Sequence, residues 1–417
     1  MQECVYLVNR MGTSHHSAAA HWQDVAVTYR DPAVAAAALR AAARVDLGAI
    51  SSNVSRIKEI VGPAEVMAVV KAEGYGHGLV QSALAAVEGG ATWLGVAFLE
   101  EALALRAAGI GGRILCWLGT PGEPVAEAVT ADIDVSASAP WAVAEIANAA
   151  LEVGRVARVH LKVDTGLSRG GAVMSDWPEL IQAAAKARAE GYLEIVGIWS
   201  HLVHGSNPAH PTTALQVGAF NDALSYAASV GVTPQIRHLA NSGGLLLVPG
   251  TRFDLVRAGL ASYGLSPVPD QRDSASFGLR PAMTLTARLA LTKKVPAGTG
   301  VSYSHRYVTP VPTMLGLVPL GYADGVPRTA TNSAEVLVRG RSSTVRRTVS
   351  GTVCMDQFVV DLGPGDDDFA AGDDVVLFGP GDRGEPTAQD WADACDTISY
   401  EIVTRIGVRV PRVYEGA

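Results

Sequence analysis

The sequence is poor in cysteine. Cys4, Cys116, Cys354 and Cys395 lie far apart in 417 residues, too sparse for a disulfide framework and without the CxxC spacing of a zinc site. A reduced, cytoplasmic protein is the expectation. No apolar run approaches the length of a membrane span, and the first 40 residues hold no apolar core behind a basic end, so neither a membrane partner nor an export signal is expected. Basic charge is also in deficit. The chain has 33 Lys and Arg against 41 Asp and Glu, a net charge of −8, and its densest basic cluster, Arg341 to Arg347, is interrupted by Ser and Thr. That pattern excludes nucleic acid as a partner and favours a small molecule. No GxGxxG follows any apolar run, which removes the dinucleotide crevice of a doubly wound sheet.

With 48% hydrophobic and 18% charged residues, the chain has ample material for a packed core and length for two domains. Residues 1–43 read as an N-terminal extension, with Ala33 to Ala43 as its helical piece. Thereafter eight short β-type runs recur: 65–71, 92–98, 113–119, 132–138, 157–166, 194–202, 236–242 and 253–259. Segments with apolar residues at three and four, such as Leu79–Val87, Leu99–Ala107, Trp141–Val153, Trp177–Glu190 and Leu215–Ser229, separate them. The last link, from Ser242 to Phe253, is too short for a full helix. Eight strand-helix units predict a (β/α)₈ TIM barrel over 44–275. From about residue 276 to 417 the rhythm changes to β-type runs between Gly and Pro turns, with one helix near Ala388–Cys395, which predicts a C-terminal all-β domain.

A barrel carries its site at the C-terminal ends of its strands. There the sequence sets Lys71 and Tyr75 after run one, Lys162, Asp164 and Arg169 after run five, His201 after run six, Asn241 and Ser242 after run seven, and Arg257 and Gly259 after run eight. Any one of these reads as a solvated strand end. Five ends together read as a site. A lysine in an apolar mouth has a depressed pKa and can form a Schiff base with a carbonyl cofactor, of which pyridoxal 5'-phosphate is the common one. Ser242 and the Gly259 amide suit its phosphate, because barrel phosphate sites are built after strands seven and eight. Arg257 then faces the pyridine ring.

KAEGYGHG, LKVDTGLSRGG, SHL, ANSGG, VRAGLASYGLSP, VSYSHRYV, GYADG, GTVCMDQ and TISYEI resemble, in order and from about residue 44 to the C-terminus, the successive signatures of the alanine racemase family. One departure stands in the first motif, where Glu73 and Gly74 replace the family's usual Asp or Asn followed by Ala; only a slight local change is expected. The resemblance implies interconversion of L- and D-alanine on pyridoxal phosphate, with Lys71 as cofactor attachment and as base on one face. Tyr303 of the partner subunit in a homodimer would be the base on the other, with a bond to His201. Racemisation needs two such groups, because the proton leaves one face and returns to the opposite one. It further implies that Tyr75, His201, Asn241, Ser242, Gly259, Leu260 and Tyr400 hold the cofactor, and that Arg169 touches both the cofactor and the substrate carboxylate. Met355 with Asp356 would complete the carboxylate site, Tyr322 would stand at the entrance, and Lys162 would be carbamylated. An arginine at the pyridine nitrogen, Arg257, cannot accept its proton and so weakens the electron sink. Tyr400 leaves room for a methyl side chain.

Plainer readings stand beside these. DTG at 164–166 lacks the second half-site of an aspartic protease, and His201 with His204 lacks further ligands for a metal. Tyr303 and Tyr307, four apart on a β-type run, read alone as packing aromatics on one face. Cys354 and Met355 read as half-buried strand residues, and GYADG as a turn. Of the competing functions, a metal-dependent barrel hydrolase would want an HxH on strand one, and residues 65–72 hold no histidine. A pyridoxal-phosphate homeostasis protein has no use for the second domain. A decarboxylase of the same fold type III plan, acting on long basic amino acids, would need an acidic, roomier pocket.

Overall fold

The computed structural model describes residues 39–364 and 368–416. The first strand, β1 (Ala41–Asp46), is buried and pairs antiparallel with β10 (Met283–Arg288) and parallel with β19 (Arg412–Glu415). The helix expected over Ala33–Ala43 is therefore irregular at Leu39 and Arg40 and strand from Ala41 onward, and residues 33–38 lie outside the described residues. The apolar run Ala41–Ala43 looks helical by composition, but it fills a slot between two strands that arrive some 240 and 370 residues later, a tertiary contact that overrides local propensity. Asp46 closes β1 and caps the helix Leu47–Val61, accepting from the Ala49 amide at 2.9 Å.

All eight barrel runs form strands: β2 (Glu65–Val69), β3 (Trp93–Val96), β4 (Arg113–Cys116), β5 (Asp134–Ala137), β6 (Ala157–Lys162), β7 (Leu193–Trp199), β8 (Ile236–His238) and β9 (Leu255–Ala258). They pair in parallel in that order, and β9 returns to β2. The β8–β9 seam carries no ladder. It is closed by Arg237, whose side chain bonds both oxygens of Asp254 at 2.7 and 2.8 Å, and by the Arg257 amide on the Ala240 carbonyl at 3.0 Å. The expected helices form, together with one over Val125–Thr130, and the short last link holds a short helix, Ser242–Leu247, and a 3-10 turn, Pro249–Thr251. Met67, Trp93, Leu115, Val196, Ile236 and Leu255 pack as an apolar layer inside the barrel.

The remaining strands are β11 (Leu291–Val295), β12 (Gly300–Val301), β13 (Tyr307–Val308), β14 (Thr313–Val318), β15 (Glu335–Arg339), β16 (Thr344–Thr348), β17 (Phe358–Gly363) and β18 (Asp374–Phe378). A six-stranded sheet runs β16-β15-β18-β10-β1-β19, beside a three-stranded sheet β11-β14-β17. Two helices cover them, Ala388–Ala394 as expected and Ser399–Thr404, which carries Tyr400. Two expected strands are not strands. VSYSHRYV is broken by positive φ at Ser302, Ser304 and His305 into a small hairpin with Tyr303 at its tip, and Cys354 and Met355 stand in a loop before β17. Among the described residues no helix is long and apolar enough to cross a membrane.

Candidate active site

A cavity of about 800 Å³ opens at the C-terminal ends of the barrel strands. Lys71, Tyr75, Lys162, Arg169, His201, Asn241, Ser242, Arg257, Gly259, Leu260 and Tyr400 line it. Eleven of the residues singled out in the sequence are thereby brought to one cavity.

Lys71 is aimed by an unusual turn. Ala72, Glu73, Gly74 and Tyr75 follow it with φ of 52°, 54°, 58° and 54°, one turn of left-handed helix. For the three non-glycine residues this costs about 1 kcal/mol each. The turn is held from three sides. Glu101 accepts from the Ala72 amide at 2.6 Å, the Gly74 amide returns to the Val70 carbonyl at 2.8 Å, and His77 Nδ1 sits 3.0 and 2.9 Å from the Gly74 and Tyr75 carbonyls. Burial and the nearby Arg169 lower the Lys71 pKa, which frees its amine for nucleophilic and base chemistry.

The opposite wall is an anion cradle. Ser242 Oγ lies 3.1 Å from the Gly259 amide and 3.3 Å from that of Ala261. A Cβ on Gly259 would overlap the Tyr75 hydroxyl oxygen, so the bare backbone is what lets Tyr75, Ser242 and the amides converge. Tyr75 stacks on Tyr263 at 4.9 Å.

The floor is cationic. Arg257, fully buried, donates to the carbonyls of Ser200 (2.8 Å) and Leu239 (3.0 Å) and approaches Nδ1 of both His201 and His238 at 3.2 Å. Burial and Arg169 press its pKa to about 9, which leaves it a cation at neutral pH. Lys162 Nζ lies 4.5 Å above the Trp199 ring, and burial, Arg257 and Arg169 bring it to about 8. Burial and the four cations Arg257, Arg169, Lys162 and Lys71 keep His201 well below its usual value, so its imidazole is neutral.

Tyr303, Met355, Asp356 and Tyr322 do not line this cavity. Tyr303 is 71% exposed and Met355 53%. Within the chain His201 is bonded to Arg257 and Asn241 rather than to Tyr303. The four nonetheless share one patch. The Thr352 hydroxyl donates to the Tyr303 carbonyl at 2.9 Å, the Tyr322 and Ala323 amides donate to the Cys354 and Met355 carbonyls at 3.0 and 2.9 Å, and Arg409 bridges Asp356 (2.8 Å) to buried Asp324 (3.2 Å).

Three buried histidines and the half-buried His201 have folded pKa values below the unfolded 6.5: His77 at about 4, His160 lowered, and His201 and His238 well below, each chiefly through loss of solvent. As pH falls below 6.5 the unfolded chain takes protons that the folded chain refuses, so stability is lost toward acid by up to about 1.4 kcal/mol per pH unit per histidine. The thermal midpoint is expected to drop by about 5–10 °C between pH 7 and pH 5. A midpoint flat over that range would contradict neutral burial.

An amine, a cradle of backbone amides with a serine hydroxyl, and a cationic floor thus meet in one cavity at the mouth of a parallel barrel. Residues 45–267 match the family "Alanine racemase, N-terminal domain", and residues 282–414 match "Alanine racemase, C-terminal domain". The alanine racemase of Frankia casuarinae is 60% identical over 376 residues, 90% of this chain and 96% of the relative, and that of Mycolicibacterium smegmatis 50% identical over 370 residues, 89% and 93%. The solved alanine racemase of Streptomyces lavendulae superposes with a TM-score of 0.88 at 55% identity, covering 91% of this chain and 97% of that one. The Bacillus anthracis enzyme with bound L-Ala-P gives 0.82 at 34%, covering 91% and 96%. The chain belongs to the alanine racemase family, and is thus an amino-acid isomerase.

Proposed function

We propose that the protein interconverts L- and D-alanine with pyridoxal 5'-phosphate bound in the barrel mouth, as a homodimer whose two sites each draw on both subunits. The observation that carries this is the division of the site residues into two patches. One holds Lys71, the cradle and Arg257 inside the cavity; the other holds Tyr303 and Met355 exposed at the surface. Each patch is half a racemase site, and a second copy of the chain supplies the missing half. The bare cradle at Gly259, with Ser242, Tyr75, Tyr400 and the Leu260 amide, fits a phosphate, and Lys71 is within the same cavity to bind an aldehyde. When bound, the cofactor supplies an electron sink that makes the substrate Cα proton acidic.

The residues then do the rest. Lys71 Nζ, with its lowered pKa, takes or returns the proton on one face of Cα, and the Tyr303 hydroxyl of the partner subunit serves the other. Arg169, with the Met355 amide of the partner subunit supported by Asp356, holds the substrate carboxylate. His201 and Asn241 steady Arg257 beneath the cofactor ring, and Arg257 cannot take the ring proton. Tyr400 in the wall and Tyr322 of the partner at the entrance limit the side chain to about a methyl group. Burial and the nearby Arg257 and Arg169 bring the Lys162 amine to about 8. A carbamate formed there from CO₂ and the neutral amine, releasing one proton, turns a third cation into an anion that orients Arg169. Labelled bicarbonate is expected to give a carbamate ¹³C signal that Lys162→Ala removes; its persistence in that variant would contradict the assignment.

D-alanine made in the cytoplasm for peptidoglycan is the role this reading supports. A visible spectrum of the purified protein and a chiral assay test it. A yellow band bleached by borohydride, with racemate formed from either enantiomer, is expected. A colourless protein that stays inert with added pyridoxal phosphate would overturn it.

A further inference from the structure

The barrel interior holds polar groups that the site just described does not use. Asp134 on β5, His160 on β6 and His238 on β8 are each 0% exposed. They form an unbroken chain to the cavity floor: Asp134 Oδ2 to His160 Nε2 at 3.2 Å, His160 Nδ1 to His238 Nε2 at 2.9 Å, and His238 Nδ1 to Arg257 at 3.2 Å. Arg257 has only donors, so His238 Nδ1 must accept. Its proton is therefore on Nε2 and is given to His160 Nδ1. His160 in turn carries its proton on Nε2 and gives it to Asp134. Every position in the chain is satisfied by one set of tautomers.

The fold is shaped to admit this chain. The β6–β7 register shifts between Val159 and His160, which brings Gly197 opposite His160, and a Cβ on Gly197 would fall on the His160 ring. The His238 ring lies flat against Trp199, with centroids 5.4 Å apart and planes 3° apart, and Arg257 sits over the same indole at 4.9 Å. At the far end, Asp134 is bonded to Arg113 at 2.5 Å and Arg158 at 2.6 Å, both partly exposed at the barrel base. Burial pushes the Asp134 carboxyl up, but His160 and Arg113 outweigh it and hold it at about 2.

We propose that Asp134, His160 and His238 form a one-way hydrogen-bond relay through the barrel that fixes Arg257 and draws off part of its charge, making all three positioning residues for racemisation. A carboxylate at the base polarises His160, which polarises His238, which becomes a stronger acceptor for the guanidinium. The inference rests on the reading of Arg257 as the group beneath the cofactor ring. The charged groups near the relay are Arg113, Arg158, Arg106 and Asp132 at its base and Arg169, Lys162 and Lys71 around its head, where His201 is neutral.

The test has two readouts. In ¹⁵N-histidine-labelled protein, with and without cofactor, His160 and His238 are expected to keep a protonated Nε2 and a bare Nδ1 from pH 6 to pH 9, assigned by the signals missing in H160Q and H238Q. An imidazolium, or a proton on Nδ1 of either ring, would overturn the relay without touching the racemase reading. In the loaded enzyme, H160L is expected to shift the visible band of the bound cofactor and lower kcat about tenfold with little change in KM. H160Q, which keeps one acceptor and one donor, should restore both to near the parent values. If H160L and H160Q instead lose thermal stability alike while kcat and the band stay put, the chain is packing only. Should the wild type fail to take up pyridoxal phosphate, the racemase reading fails, and the nitrogen signals still decide the relay.

Discussion

Lys71→Ala is expected to give a folded, colourless protein whose racemisation is at least about 10⁴-fold slower than the parent. Two losses combine. In the proposed reaction the amine that would anchor the cofactor is gone, and so is the base on one face of the substrate. Among the described residues the Lys71 side chain makes no hydrogen bond to another side chain, and the left-handed turn after it is held by Glu101 and His77 rather than by Lys71 itself. The variant should therefore keep its thermal midpoint within a few degrees. Measured racemisation near the parent rate would remove Lys71 from the chemistry.

Tyr303→Phe is the complementary case. The tyrosine is 71% exposed in the chain, at the tip of a hairpin shaped by three positive-φ residues, so losing its hydroxyl leaves fold and cofactor site intact. The yellow band should persist while kcat falls about 10³-fold, the usual weight of one general acid-base group. The defect should also be one-sided. With α-deuterated substrate, the enantiomer whose proton Tyr303 removes should show the larger rise in isotope effect, because that step has become slow. Equal isotope effects for both enantiomers, or an undiminished kcat, would contradict a role on a single face.

Much of this architecture was legible because barrel strands are local. Each run from 65–71 to 253–259 is largely buried and bounded by helical segments, so apolar content and spacing suffice to find it. The cavity residues were legible because they crowd strand ends, where a polar side chain after an apolar run stands out. Residues that depend on distant partners were not. Ala41–Ala43 reads as helix until β10 and β19 are in place. Tyr303 and Met355 read as strand because the positive φ at Ser302, Ser304 and His305, and the contact of the Met355 loop with GYADG, leave no mark in local pattern.

The relay residues escaped for a different reason. Asp134, His160 and His238 fall within the runs rather than after them: Asp134 opens β5, His160 is inside β6 and His238 ends β8. A signal was present: in ARVHLK the alternation of a strand puts His160 and Lys162 on one face, into the barrel, and a charged or imidazole group there must find a buried partner. Asking which polar residues sit within apolar runs, as well as which follow them, would have found all three. Glu101 is harder, since an acid in the first turn of a helix already has a sufficient explanation in the helix dipole.

The most direct test of a site shared between subunits is to mix Lys71→Ala and Tyr303→Phe proteins, each inactive alone, under conditions of subunit exchange. Random pairing puts half of the dimers in mixed form. One site in each such dimer then joins an intact Lys71 to an intact Tyr303, so roughly one quarter of the parent activity should return. Mixed dimers that are isolated and remain inactive would contradict the account.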